Sequence, residues 1–254
     1  MNILELDLGN TRIKWRMLAS EESAVSAEGV VNTTQQLLDS DFAVQSPDFV
    51  RLSNVRADDS VPALQQWISA QWQLETHMAS VASQCGGVIN AYQDLSRMGV
   101  DRWLAMLAAY NAFDTSCLVV SAGTAVTIDL VTAGGIHEGG YILPGLSMMA
   151  SALQANTGIR LQYEAAQVST RPGVVTEEAV YNGSLASCAA LIEKSAAYMG
   201  RKEASLNIVL SGGDAPVIEE ALQSAGMENI VICPNLVLDG LAIAVPEPGE
   251  AASR

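Results

Sequence analysis

The sequence predicts an α/β protein built from two related lobes, and three observations carry that expectation. A strand, a Gly-centred turn and a second strand occur twice, as LELDLGNTRIKW near the start and LVVSAGTAVTID in the middle. Gly9 and Gly123 lie 114 residues apart, about the length of one domain. Leu206–Leu210 then reads as a strand running into Ser211-Gly212-Gly213-Asp214 and a helix, the layout of an α/β nucleotide site. A chain of 254 residues is comfortable for two domains of about 100–150 residues each.

The elements follow in order. Ile3–Leu8 has strand character, Gly9-Asn10-Thr11 makes a turn because Gly and Asn tolerate positive φ, and Ile13–Leu18 returns as a strand. Thr33 to Val61 mixes helix and strand signals, Ala63–Gln71 reads as a helix, and Trp103, Leu104, Leu107, Ala108 and Tyr110 form an apolar stripe on a helix after Asp101-Arg102. A new unit begins near Asp114, so the lobes are expected at 1–114 and 115–254. Cys117–Ser121 and Val126–Val131 are strands around Ala122-Gly123-Thr124. Helices are expected at Leu185–Tyr198 and Ala215–Ala225, with a late strand at Ile230–Cys233 and a fraying tail at Val245–Arg254.

Composition narrows the function. With 28 acidic and 13 basic residues the net charge is −15, a field that repels nucleic-acid backbones. An anionic ligand therefore needs a locally cationic site or one built from backbone N–H groups. Cys85, Cys117, Cys188 and Cys233 form no C-x-x-C pair and read as buried free thiols in a reducing compartment. Neither they nor His77 and His137 have zinc spacing, and His137 reads as a surface or loop residue. The longest uncharged stretch, Tyr141–Ile159, is broken by Pro144, Gly145, Asn156 and Gly158, so no membrane span is expected. The first apolar run contains Glu5 and Asp7 and lacks the basic start of a signal peptide, which suits a cytoplasmic protein.

Several motifs can carry chemistry. In Asp7-Leu8-Gly9-Asn10-Thr11-Arg12-Ile13-Lys14 a carboxylate ends a strand, and a tight turn then exposes backbone N–H groups before an ammonium. That suits a magnesium nucleotide, with N–H groups and Lys14 on phosphate oxygens and Asp7 orienting the metal's waters. A plain hairpin looks similar, but a carboxylate on an apolar strand needs a partner. Ser121 to Asp129 offers a second phosphate clamp at Gly123 and Thr124, or simply a tight turn. In Gly99-Val100-Asp101-Arg102, Asp101 fits both a helix cap and a base for an attacking hydroxyl, with Arg102 beside it for a polar group of the substrate. Glycines in His137 to Gly145 flank a short apolar run and suggest a close-packed turn.

Together and in this order, D-x-G-N-T, G-x-D-R, G-T-A-x-T-x-D and G-G-x-I-x-P-G resemble the type III pantothenate kinases, of the acetate and sugar kinase, Hsp70 and actin superfamily. The resemblance implies two actin-like (ribonuclease H-like) lobes, each a mixed sheet flanked by helices, with a cleft between. It implies ATP-dependent phosphorylation of pantothenate, with Asp7–Lys14 as first phosphate loop, Gly123 and Thr124 in the second, and Asp101 as proton acceptor. Tyr92, Gly99, Val100, Asp101 and Arg102 would line the pantothenate pocket. Thr176 would reach substrate across a homodimer interface, and Asp7 and Asp129 would serve the metal. Many members carry Asp where this chain has Ser121, and that Asp helps bind K⁺ or NH₄⁺; the neutral Ser121 puts that dependence in doubt. The rival readings are a kinase or phosphatase for another small molecule on the same fold, and a non-catalytic ATP-binding regulator.

Overall fold

In the computed structural model, residues 1–19, 24–162 and 168–248 are described. The chain divides into two compact units. The first holds Met1–Gly86, Tyr92–Ala108 and Asn235–Arg254, and the second Gly87–Ala91 and Ala109–Pro234. The expected cut at 114/115 is thus displaced: the C-terminal stretch returns to the first unit, and the helix after Asp101 runs from one unit into the other.

The first unit opens with β1 (Ile3–Leu8), β2 (Ile13–Ala19) and β3 (Ala24–Val31). Helix α1 (Thr34–Leu38), β4 (Phe49–Asn54), α2 (Ser60–Trp72) and β5 (Thr76–Met78) follow. Its sheet runs β3-β2-β1-β4-β5, with β1 antiparallel to β2 and parallel to β4. Because strand side chains alternate, Leu4, Leu6 and Leu8 fall on one face with Trp15, Met17, Val50 and Leu52. They pack under Leu64 and Ile68 of α2. Phe42 seals this core among three indoles, its ring centroid 6.0 Å from Trp15, 5.6 Å from Trp67 and 5.5 Å from Trp72.

The other face of the same sheet carries charge. Glu5 is fully buried and sits in register between Arg16 on β2 and Arg51 on β4. Arg16 Nε donates to Glu5 Oε2, and Arg51 Nε donates to Glu5 Oε1 at 2.8 Å. A late helix, α7 below, completes the set. Arg16 reaches Asp239 Oδ1 at 2.6 Å, and Arg51 donates to the Val245 carbonyl at 3.0 Å. Glu5 and the exposed Asp239 thus offset two guanidiniums, which is what allows Glu5, Arg16 and Arg51 to leave water together.

Two short strands, β6 (Gln84–Cys85) and β7 (Val88–Ile89), lead to α3 (Val100–Phe113). The second unit continues with β8 (Cys117–Ala122), β9 (Ala125–Val131), β10 (His137–Pro144), α4 (Leu146–Asn156), α5 (Thr176–Met199), β11 (Asn207–Ser211), α6 (Ala215–Ser224) and β12 (Ile230–Ile232). Its sheet order, β10-β9-β8-β11-β12, repeats that of the first unit strand for strand, with β8 antiparallel to β9 and parallel to β11. Leu118, Val120, Ile128 and Leu130 pack against Leu185, Cys188 and Ile192 of α5 and Ile218 and Leu222 of α6. The chain closes with α7 (Leu236–Ala244).

Three expectations change. Helix α5 begins at Thr176 rather than Leu185, because Glu177 and Glu178 make a favourable acidic first turn and Gly183 does not break it. His137 is not a surface residue: it is 1% exposed, and its Nε2 lies 3.1 Å from Asp129 Oδ1 while Ala91 N–H donates to Nδ1. Of the tail expected to fray, Val245 is held by Arg51, and residues 249–254 lie outside the described residues. No described helix is long and apolar enough to cross a membrane, and all four cysteines are free thiols.

Candidate active site

The first hairpin builds a charged row at its tip. Asp7 and Lys14 are cross-strand partners, and Ser53 on β4 is the partner of Asp7 on the other side. Facing pairs in a sheet share one face, so Asp7 stands between an ammonium and a hydroxyl on the face that carries Glu5 two residues earlier. Asp7 Oδ1 and Ser53 Oγ are enclosed and complete no hydrogen bond among the described residues. Burial pushes the Asp7 carboxyl up to about 7, Asp101 adds to the push, and Lys14, Ser53 and Arg56 pull against it. An enclosed carboxylate oxygen with a spare lone pair beside a lysine suits a magnesium-bound water.

Within the turn, Asn10, Thr11 and Arg12 are exposed and Gly9 is half-buried. Leu8 and Ile13, expected among the ATP-binding residues, point into the core with no exposure. The Leu8 carbonyl also accepts from Val55 N–H. Side-chain contact from these two is excluded by the strand alternation that makes them core residues.

The pocket residues of the G-x-D-R motif gather in the same unit. Val100 opens α3, and Asp101 lies inside its first turn with Oδ1 accepting Arg102 N–H at 2.9 Å. The carboxylate folds back over Gly99, where a Cβ would stand 2.5 Å from Asp101 Oδ1. Glycine is needed there for the acid to take this position. Arg102 is 5% exposed, donates from NH1 to Tyr92 Oη at 2.9 Å, and lies 5.6 Å from the Tyr92 ring centroid. Tyr92 and Arg102 thus form one rigid cationic platform beside Asp101.

In the second unit three glycine turns meet. Gly123 and Thr124 are exposed, and a Cβ on Gly123 would touch nothing within 4 Å. Gly145 donates its N–H to the Thr124 carbonyl at 2.9 Å, and a Cβ on Gly145 would lie 2.2 Å from the Gly123 carbonyl. Gly212, with φ of 95°, packs so closely on β8 that a Cβ would stand 2.1 Å from the Ala122 carbonyl. Helices α4 and α6 both start from these turns, capped by Gly145 and Asp214. The positive end of the α4 dipole gives this turn cluster a character suited to an anion, whereas at α6 Ala215 N–H already donates to the Gly212 carbonyl and Pro216 has no N–H. Ser121 lies at the base of the turn, its Oγ accepting from Ser211 Oγ at 3.3 Å.

Asp129 takes a place other than the expected one. Asp129 is 1% exposed and bonded to His137 in the middle of the second sheet, so its carboxylate braces β10 instead of serving a metal. Among the described residues, no group of three or more His, Cys, Asp or Glu could hold a metal. Thr176 starts α5 on an open groove of about 980 Å³ lined also by Met149, Leu153 and Ala179. Ser53 and Arg56 escaped the sequence reading as parts of the site. The traceable signal was the strand at Phe49–Asn54, whose parallel pairing to β1 brings Ser53 beside Asp7.

Known proteins resemble this chain over most of its length. The sequence profile of the type III pantothenate kinase family matches residues 3–197. A type III pantothenate kinase from Pseudomonas putida is 36% identical over 257 residues, covering 96% of this chain and 99% of that protein. Among solved structures, a Campylobacter jejuni protein described as a Baf-family transcriptional activator has a TM-score of 0.58 at 19% identity, over 93% of this chain and 94% of that one. A Sinorhizobium meliloti protein described as a 2-dehydro-3-deoxygalactonokinase has a TM-score of 0.56 at 16% identity, over 94% of this chain and 97% of that one. Likeness at such identities speaks for the fold alone, and the expected actin-like α/β class stands.

Proposed function

The chain belongs to the type III pantothenate kinases, and on that premise we propose that it transfers the γ-phosphoryl group of ATP to the primary hydroxyl of pantothenate. The product is 4′-phosphopantothenate, at the first step of coenzyme A biosynthesis. The observation that carries the residue assignment is that Asp7 and Asp101, from different elements, share one electrostatic neighbourhood with Lys14 and Arg56. This supports reading the Asp7 turn as a phosphate loop with Asp101 as a base beside it.

In this reading the turn Gly9–Arg12 and Lys14 hold phosphate oxygens; the exposed Gly123–Thr124 turn of the second unit is read separately as a backbone surface for an anion. Asp7 would orient Mg²⁺ waters; the ion, arriving with ATP, supplies charge neutralisation on the phosphates. Arg102 and Tyr92 hold the polar end of pantothenate, and Gly99 and Val100 shape the pocket wall. Asp101 aligns the hydroxyl and takes its proton as the new O–P bond forms. The bond from the γ-phosphorus to its bridging oxygen breaks, and ADP leaves with that electron pair. Such transfers run through a loose transition state, so alignment and charge dominate.

A cytoplasmic homodimer suits the exposed apolar surface around the α4–α5 groove, where Val174 is 91% exposed and Met148 44%. Thr176 on that rim would reach the partner copy's substrate. The test is a coupled assay with pantothenate, ATP and magnesium on wild type and Asp101→Asn. The variant is expected to fold normally and lose about 10²–10⁴-fold in kcat. Wild-type turnover in Asp101→Asn would remove it from the role, and no ADP release from wild type would remove the function.

A further inference from the structure

Arg56 belongs to none of the motifs above, yet it ties the first turn to the ends of two neighbouring strands. Its Nε donates to the Gly9 carbonyl at 2.7 Å and its NH2 to the Asn32 carbonyl at 3.3 Å. Its own backbone is clamped by a single side chain. Arg56 N–H donates to Asn54 Oδ1 at 2.9 Å, and Asn54 Nδ2 donates back to the Arg56 carbonyl at 3.1 Å. A guanidinium so fixed connects the ends of β1, β3 and β4.

We propose that Arg56 is the positioning residue of the first phosphate loop, fixing the Gly9–Asn10 peptide so that the Asn10 N–H is presented to a nucleotide phosphate. Among the described residues no peptide bond is cis, so the N–H of Asn10 points opposite to the Gly9 carbonyl. Holding that carbonyl from the protein side turns the N–H outward, at a residue that is exposed. Without the grip the peptide can rotate and offer its carbonyl, which repels phosphate. Only arginine has the planar fork to reach two carbonyls at once. Its charge also offsets locally a chain of net −15.

The inference rests on the reading of this turn as an ATP-binding loop, and the experiment separates the two. Binding of MgATP is measured by calorimetry, and kcat and both KM values by the coupled assay, on wild type, Arg56→Ala and Arg56→Lys. Urea midpoints report folding. Arg56→Ala is expected to weaken MgATP binding and raise KM for ATP by about 10-fold or more, the scale of a charged hydrogen bond. KM for pantothenate is expected to stay unchanged, and millimolar guanidinium to restore part of the lost ATP affinity. Arg56→Lys, which keeps the charge without the fork, is expected to show the same split at smaller size, and serves alone if Arg56→Ala does not fold. An unchanged KM for ATP in either folded variant overturns the proposal. So does an equal loss for both substrates without guanidinium rescue, which would mark Arg56 as merely structural. Absence of MgATP binding to wild type would instead sink the kinase reading.

Discussion

The two hairpins share strand order and pairing but differ side chain by side chain on one face. In the first, Asp7 stands between Lys14 and Ser53; at the equivalent place in the second, Ser121 stands between Thr127 and Ser211. Two residues earlier, Glu5 faces Arg16 and Arg51, while its counterpart Val119 faces Asp129 and Val209. The apolar face is preserved in both, with Leu4, Leu6 and Leu8 matched by Leu118, Val120 and Ala122. The fold therefore requires the apolar face and leaves the other free, and charge has been concentrated where phosphate chemistry is proposed.

The largest effect expected from breaking this contrast is on stability. Glu5→Gln leaves two buried guanidiniums facing a neutral amide and is expected to cost about 3–5 kcal/mol in urea unfolding. Val119→Ala at the matching position is expected to cost about 1–2 kcal/mol through lost packing alone. Equal losses would erase the distinction between the two sheets.

Next in size is the pH response of Asp7. The folded chain keeps its proton up to about pH 7, whereas the unfolded carboxyl releases it near 3.8. Between those values the native state binds more protons, so stability falls as pH rises through that window. Asp7→Asn removes the effect. Without nucleotide it is expected to exceed wild type by on the order of 1–4 kcal/mol at about pH 8, with little gain at about pH 4, while losing MgATP turnover. Urea midpoints across pH check this, and a gain independent of pH would refute the buried-carboxylate account. Ser121→Ala should show no such pH profile. The smallest effect concerns monovalent ions. Ser121 is neutral and paired with Ser211, so exchanging potassium for sodium is expected to leave turnover unchanged, whereas Ser121→Asp should introduce a dependence.

Much of this was legible in the residues. The hairpins, α2, the start of α3, β11 and α6 all announce themselves by alternation, helical spacing and glycine turns. Asp101 was legible as a helix cap or a base, whereas its fold back over Gly99 was not. What remained hidden depended on pairing between distant strands. Nothing local to Ser53 or Arg56 says that β4 will lie parallel to β1 and set them beside Asp7 and Gly9. Likewise Asp129 looked available until His137, from the next strand, took its carboxylate. The run Leu236–Ala244 is apolar almost throughout and gave no face to read, yet it forms the helix that carries Asp239 to Arg16.

That helix imposes an order on synthesis. Asp239 and the Val245 carbonyl are made 223 and 194 residues after the first-sheet arginines that they neutralise and cap. While the polypeptide is still attached to the ribosome, the early strands hold two guanidiniums against the lone acid of Glu5. The first sheet must therefore wait, incompletely closed, until Leu236–Ala244 has been made, and a chain stopped ahead of Asn235 would have a first unit that lacks this helix.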